Sequence, residues 1–116
     1  MKKIGLITIT YNSAQVIEPF LQCVLRQTHV NFILYIIDNI SSDSTLEIIK
    51  KHKDNRIKII SNTENVGVAK GNNQGIQKAL EDDCDELLII NNDVEFEDTL
   101  LEKLSNQLAI LNGSMI

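Results

Sequence analysis

The run Asn91-Asn92-Asp93-Val94-Glu95 directly follows an apolar segment, Leu87-Leu88-Ile89-Ile90, and sets two neutral amides ahead of a carboxylate. A carboxylate fixed at the end of a buried strand can hold Mg²⁺ or Mn²⁺, with water and ligand phosphate oxygens filling the remaining positions. The amides can hydrogen-bond a ribose or a phosphate without adding negative charge beside a diphosphate. Asp93 is the better metal ligand of the two acids. The same residues also read as a turn and an acidic start to the following helix, which the helix dipole favours. Glu95 fits that second role.

Asp38 ends a run of apolar residues, and Asn39 follows it. The carboxylate could accept hydrogen bonds from a base ring N–H, and the amide both donates and accepts. An Asx-type turn is the equally good structural alternative. Asp43 could also meet a ligand, but it precedes Ser44, which with Glu47 reads as a capping box opening a helix.

Asn65 to Gly75 contains Gly67, Gly71 and Gly75 at spacings of four and four, which matches neither the dinucleotide fingerprint nor a phosphate-binding P-loop. Gly67 suits a positive φ or a close backbone approach. Gly71 and Gly75, one helical turn apart, suit close approach of a helix to a sheet. Lys70 could meet a phosphate, although a lone helical lysine is usually solvated. His29 and His52 have no histidine or cysteine partner at ligand spacing, so neither is assigned catalysis or metal.

These residues need a scaffold, and the apolar pattern supplies one. Residues 4–10 form a nearly continuous β-branched run, as expected of a strand covered on both faces. Val16, Ile17, Phe20, Leu21, Val24 and Leu25 recur at helical spacing. Pro19 must occupy the first turn, so that helix starts near Val16 or Ile17. Further strands are predicted over 32–37, 56–61 and 86–90, with helices over 44–53 and 68–80. Leu100, Leu101, Leu104, Leu108 and Leu111 mark a last helix. The order βαβαβαβα implies a three-layer α/β/α domain with a parallel sheet. In such sheets ligands bind beyond the carboxyl ends of the strands. The loops Thr10–Ser13, Asp38–Asp43, Asn62–Gly67 and Asn91–Glu95 should therefore share one rim.

The bulk numbers narrow the partners. At 116 residues the chain is one domain by length, and a net charge of −5 argues against a broad basic face for nucleic acid. Cys23 and Cys84 are too few and isolated for a disulfide framework and read as packing residues in a reducing compartment. The apolar run after Met1-Lys2-Lys3 stops at Thr10, too short for a signal peptide or a transmembrane segment. The expected address is the cytoplasm, with peripheral association at the inner face of the membrane open to a longer protein.

Taken together, the motifs Thr10-Tyr11-Asn12, Ile37 to Thr45, Glu64 to Ile76 and Leu88 to Val94 resemble the inverting family-2 glycosyltransferases of GT-A type, in particular their rhamnosyltransferase-like branch. They stand in that family's order and spacing across the whole chain. The resemblance implies a Rossmann-like nucleotide-diphospho-sugar transferase (GT-A) fold. It implies transfer of a sugar from a nucleotide-diphospho-sugar donor to a hydroxyl of a glycan or lipid-linked acceptor. It further implies that Thr10 and Asn12 lie beside the nucleoside with Tyr11 near the base, and that Asp38 recognises the base edge with Asn39 supporting it. Gly67, Lys70 and Asn73 would line the nucleotide pocket. Asn91-Asn92-Asp93 would stand for the family's DxD motif, with Asp93 as the contact to Mg²⁺ or Mn²⁺. Asn91 replaces the first acid of that motif, and Val68 stands where the family often has an aromatic residue.

The family's catalytic domain continues well past its DxD position and carries the acceptor site and general base there. The resemblance therefore implies that residues 1–116 are the donor-binding part of a domain truncated at its C-terminus, with its base expected beyond Ile116. The open sheet edge of such a part should favour self-association. The alternatives are a non-catalytic nucleotide-binding or regulatory α/β module, and a phosphoacceptor domain using Asp38 or Asp93. The latter lacks the acidic cluster such domains carry at the end of their first strand.

Overall fold

The computed structural model describes residues 1–111, with side-chain surroundings through residue 107. Strands β1 (Ile4–Thr10), β2 (Phe32–Asp38), β3 (Ile57–Ser61) and β4 (Glu86–Ile89) alternate with helices α1 (Ile17–Leu25), α2 (Thr45–Lys50), α3 (Gly67–Glu81) and α4 (Leu100–Leu111). The strands form one sheet in the order β3-β2-β1-β4. Every pairing in it is parallel. This is the α/β architecture expected from the element order, and all four strand-end loops do open on one rim.

Strand alternation assigns each apolar residue a layer. Ile4, Leu6, Phe32, Leu34 and Ile36 pack against α1, α2 and the start of α4, through Phe20, Leu21, Ile49 and Leu101. The opposite face carries Ile7, Tyr35, Ile37 and Leu87 under α3, through Ala79. Both faces of β1 and β2 are thus covered, which is why their sequences are apolar almost throughout. The side chains of Leu108 and Leu111, expected to face inward, lie outside the described residues.

Helix α3 approaches the sheet through its glycines. A Cβ on Gly75 would stand 2.6 Å from Ile7 Cγ2, and one on Gly71 would stand 3.0 Å from Ile9 Cδ1. Gly67, at the start of that helix, has φ +83°, which glycine adopts freely.

Helix α2 departs from expectation at both ends. Ser44 precedes it but makes no side-chain capping bond. Asp43 does that work instead: its Oδ1 accepts from the Thr45 backbone N–H at 3.0 Å and from the Thr45 hydroxyl. A carboxylate two residues ahead of the amide reaches it in an Asx turn, which the shorter serine here does not replace. The helix ends at Lys50 rather than near residue 53, because Lys51 and His52 bond back to Ile48 and Ile49, tightening the last turn. Asp54 then takes the Arg56 backbone N–H and guanidinium, turning the chain into β3.

Candidate functional site

Successive strands β2 and β3 extend the sheet to one side of β1, and β4 returns to its other side. The strand order therefore reverses between β1 and β4, and in open α/β sheets a crevice opens beyond the carboxyl ends at such a point. A cleft of about 450 Å³ lies there. Its polar rim comes from Tyr11, Ser13, Asn72, Asn91, Asn92 and Asp93, and its apolar wall includes Ile9, Val68, Ile89 and Ile90. Among the described residues no lysine or arginine lines it, and Asp93 is the one carboxylate that does.

The loop after β4 is fastened to β1 by a side chain. Asn92 Nδ2 donates to the Ile9 carbonyl at 2.6 Å and to Thr8 Oγ1 at 3.2 Å. Asn91 and Asp93 flank this anchor and are exposed to solvent. Asp93 is thus held at the cleft mouth with its carboxylate free of protein partners among the described residues. Glu95 does not begin the last helix, since α4 starts five residues later at Leu100. It borders a smaller hollow of about 110 Å³ beyond Asp93, together with Gln15 and Pro19.

Thr10, Asp38 and Asn39 form a buried floor beside the cleft, each at most 2% exposed. Asp38 Oδ1 accepts from the Thr10 hydroxyl and the Ser41 hydroxyl, both at 2.6 Å, and Oδ2 accepts from the Ser41 backbone N–H at 2.9 Å. The Asx-type turn and the strand-end carboxylate proposed for Asp38 are thus one arrangement. Asn12, with φ 50°, ties the first two loops together. Its N–H donates to Ser41 Oγ at 2.9 Å, and its Oδ1 accepts from the Ser42 N–H at 2.7 Å. Nearby, the Thr45 hydroxyl holds the Asp43 carboxyl below the usual carboxylate range.

Asn39 links this floor to α3. Its Nδ2 donates to the Gly67 carbonyl at 3.3 Å, and its Oδ1 accepts from Asn62 Nδ2 at 2.8 Å. Asn62 and Gln74 exchange amide bonds of 2.9 Å in both directions. Sequence reading singled out neither residue, because an isolated Asn and Gln 12 positions apart carry no periodic signal.

Of the residues implied by resemblance, the structure brings Tyr11, Asn91, Asn92 and Asp93 to the cleft itself. Thr10, Asn12, Asp38, Asn39 and Gly67 act on the adjoining floor and loops. Lys70 and Asn73 are exposed and do not line the cleft; Val68 and Asn72 do. Helical geometry gives the reason. Gly71 and Gly75 face the sheet, Asn72 stands one residue (about 100°) from Gly71, and Asn73 stands about 200° round, on the far side. Counting from the glycines finds Asn72 in the sequence.

The remaining chemical side chains serve the scaffold. His29 Nε2 lies 2.7 Å from the Lys2 carbonyl, and His52 Nε2 lies 2.9 Å from Glu18 Oε1 across α1 and α2. Cys23 is buried and Cys84 half-buried, and both are free thiols. Among the described residues no helix is long and apolar enough to cross a membrane, and no group of three or more His, Cys, Asp or Glu side chains could hold a metal.

Comparison with known proteins accords with this geometry. The Escherichia coli UDP-Glc:alpha-D-GlcNAc-diphosphoundecaprenol beta-1,3-glucosyltransferase WfgD is 32% identical over 76 residues, covering 66% of this chain and 30% of that protein. The fold matches the crystal structure of S. aureus TarS 1-349 in complex with UDP at TM-score 0.82 and 24% identity, over 93% of this chain and 32% of that one. It also matches the mannosyltransferase PcManGT from Pyrobaculum calidifontis, solved in complex with GDP-Man and Mn²⁺, at TM-score 0.85 and 23% identity, over 93% and 32% of the two chains. The chain thus spans about a third of the length of these proteins. Residues 6–112 match the family described as Glycosyl transferase family 2, and the chain belongs to that family.

Proposed function

We propose that the cleft between β1 and β4 holds the nucleoside diphosphate of a nucleotide-sugar donor, with Asp93 contributing to a Mg²⁺ or Mn²⁺ site shared with the diphosphate. In the longer protein the sugar then passes to a hydroxyl of a glycan or lipid-linked acceptor, in the synthesis of a polysaccharide or cell-surface glycan. The observation that carries this reading is the cleft's charge: among the described residues its lining holds one carboxylate, Asp93, and no basic side chain. A dianionic diphosphate would find no protein cation there, whereas one carboxylate and the phosphate oxygens together suit a hard divalent ion. Such an ion supplies charge stabilisation for the departing diphosphate.

The chain's own residues supply binding and orientation. Tyr11, 53% exposed, offers a ring face to a base. The buried Thr10, Asp38 and Asn39 fix the loop backbones on which that ring stands. Asn91 and Asn92 offer uncharged hydrogen-bonding groups beside the diphosphate, with Asn92 also setting the position of Asp93. Among the described residues no second carboxylate lines the cleft. The acceptor and its general base belong, in this reading, to the rest of the longer protein. That WfgD is named for a UDP-Glc donor and a diphosphoundecaprenol acceptor supports a uridine diphosphate sugar and a lipid-linked acceptor.

Calorimetric titration of the chain with UDP, dTDP and GDP, with and without Mn²⁺, tests the reading. Binding of at least one at submillimolar to millimolar concentration, strengthened by Mn²⁺, is expected. Absence of binding by all three at millimolar ligand rules the site out. The outer edge of β4 has no strand beside it among the described residues, and Ile89 on that strand is about half exposed. Concentration-dependent self-association through this edge follows, and light scattering that reports a monomer throughout would exclude it.

A further inference from the structure

Ile40 holds a left-handed backbone, φ 58°, a conformation that a β-branched side chain adopts only under strain. The cause is local. The Asp38 carboxylate takes both the N–H and the hydroxyl of Ser41, closing a tight turn with Ile40 at its bend. Glycine or asparagine would satisfy that bend without strain. The isoleucine side chain is 48% exposed and belongs to neither apolar core. Strained residues that the fold itself does not reward concentrate where a ligand is met.

Its surroundings identify the ligand's chemistry. Asp38 pairs in register with Thr10, so Tyr11 and Ile40 follow adjacent strand ends. The Asn12 N–H bond to Ser41 Oγ keeps those two loops together. Across from them, Asn39 holds the Gly67 carbonyl, next to the 67%-exposed Val68. Three exposed apolar residues, Tyr11 and Val68 in the cleft lining and Ile40 on the loop beside it, thus stand next to the buried polar floor. Resting on the donor-site reading above, we infer that Ile40 contacts the heterocyclic base of the donor nucleotide, and that the strain at this bend is retained for that contact.

The signature is a substitution that stabilises the chain while weakening the ligand. Ile40→Asn should raise the thermal midpoint and weaken UDP binding in the presence of Mn²⁺ roughly 3- to 10-fold, as expected for losing one or two buried methylenes. Affinity for inorganic pyrophosphate with Mn²⁺, which has no base, should stay within about two-fold. Ile40→Val, which keeps a branched apolar side chain at the bend, should retain UDP binding. Unchanged UDP affinity in Ile40→Asn overturns the inference, as does a lowered midpoint, or equal loss of UDP and pyrophosphate. If the parent chain binds pyrophosphate and UDP equally well, base contact is absent and the inference alone falls. If it binds neither, the donor-site reading fails and takes the inference with it.

Discussion

The Thr10 hydroxyl donates to Asp38 Oδ1 at 2.6 Å, joining the last residues of two adjacent, in-register strands beneath the proposed base site. Both residues are fully buried, so neither partner has water as a substitute. Asp38→Ala would strand the buried Thr10 hydroxyl and remove both bonds to Ser41, and should destabilise the chain by about 2–3 kcal/mol, while Thr10→Val should cost about 1–2 kcal/mol. Urea unfolding of both variants measures this. Additive losses in the double variant would show that the pair does not interact, whereas coupling of at least about 0.5 kcal/mol is expected for groups in contact.

The two inward glycines of α3 should differ in their response to alanine. Alanine gains helix propensity of about 1 kcal/mol at either position. At Gly71 the new methyl meets the flexible end of Ile9 at 3.0 Å, and the two effects should nearly cancel. At Gly75 it would stand 2.6 Å from the branched Cγ2 of Ile7 and 3.0 Å from Ile37 Cδ1, so the helix must shift. A net loss of about 1–3 kcal/mol follows for Gly75→Ala. Equal stabilities of the two variants in denaturant would refute the close approach.

Stability should fall at both extremes of pH, for separate reasons. The Lys58 ammonium at 2.9 Å and the Tyr35 hydroxyl hold the Asp82 carboxyl below its usual range. Asp54 is lowered likewise by Arg56. A lowered folded value gives stability that is present above the unfolded carboxylate range and is lost as pH falls through the folded one. Burial and the Asp82 carboxylate push the Tyr35 phenol upward. Its contribution is therefore complete below the unfolded tyrosine value, about 10, and declines as pH rises beyond it. Urea midpoints measured from pH 2 to 11 should show both limbs. Tyr35→Phe should flatten the alkaline limb and leave an acid limb from Asp54 and from Asp82, still paired with Lys58; an unchanged alkaline limb would show that Tyr35 is not its source.

What the sequence revealed and concealed follows from the range of each interaction. Burial on two faces wrote β1 and β2 as apolar runs, and the four-residue spacing of Gly71 and Gly75 announced the close approach of α3 to the sheet. Local chemistry was misassigned at α2, where Asp43 rather than Ser44 caps the helix, because a capping box and an Asx turn share nearly the same residue pattern. The cleft itself was only half legible. Ile9, Ile89 and Ile90 read as core because nothing along the chain announces that β4 returns to the side of β1. Once it does, the ends of those apolar strands become the wall of a site. The Asn39–Asn62–Gln74 amide chain depends on the same long-range juxtaposition.

The central claim is that a metal-bound nucleoside diphosphate sits between the ends of β1 and β4, against Asp93. Paramagnetic Mn²⁺ at trace levels, added to the isotope-labelled chain with saturating UDP, reports this directly through broadening of nearby amide resonances. The account predicts selective loss of Asn91, Asn92 and Asp93, with weaker effects at Tyr11 and Asn72 and none in Asp93→Ala. Broadening centred instead on the acidic turn at Asp82, Asp83 and Asp85, or broadening that survives Asp93→Ala, would contradict it.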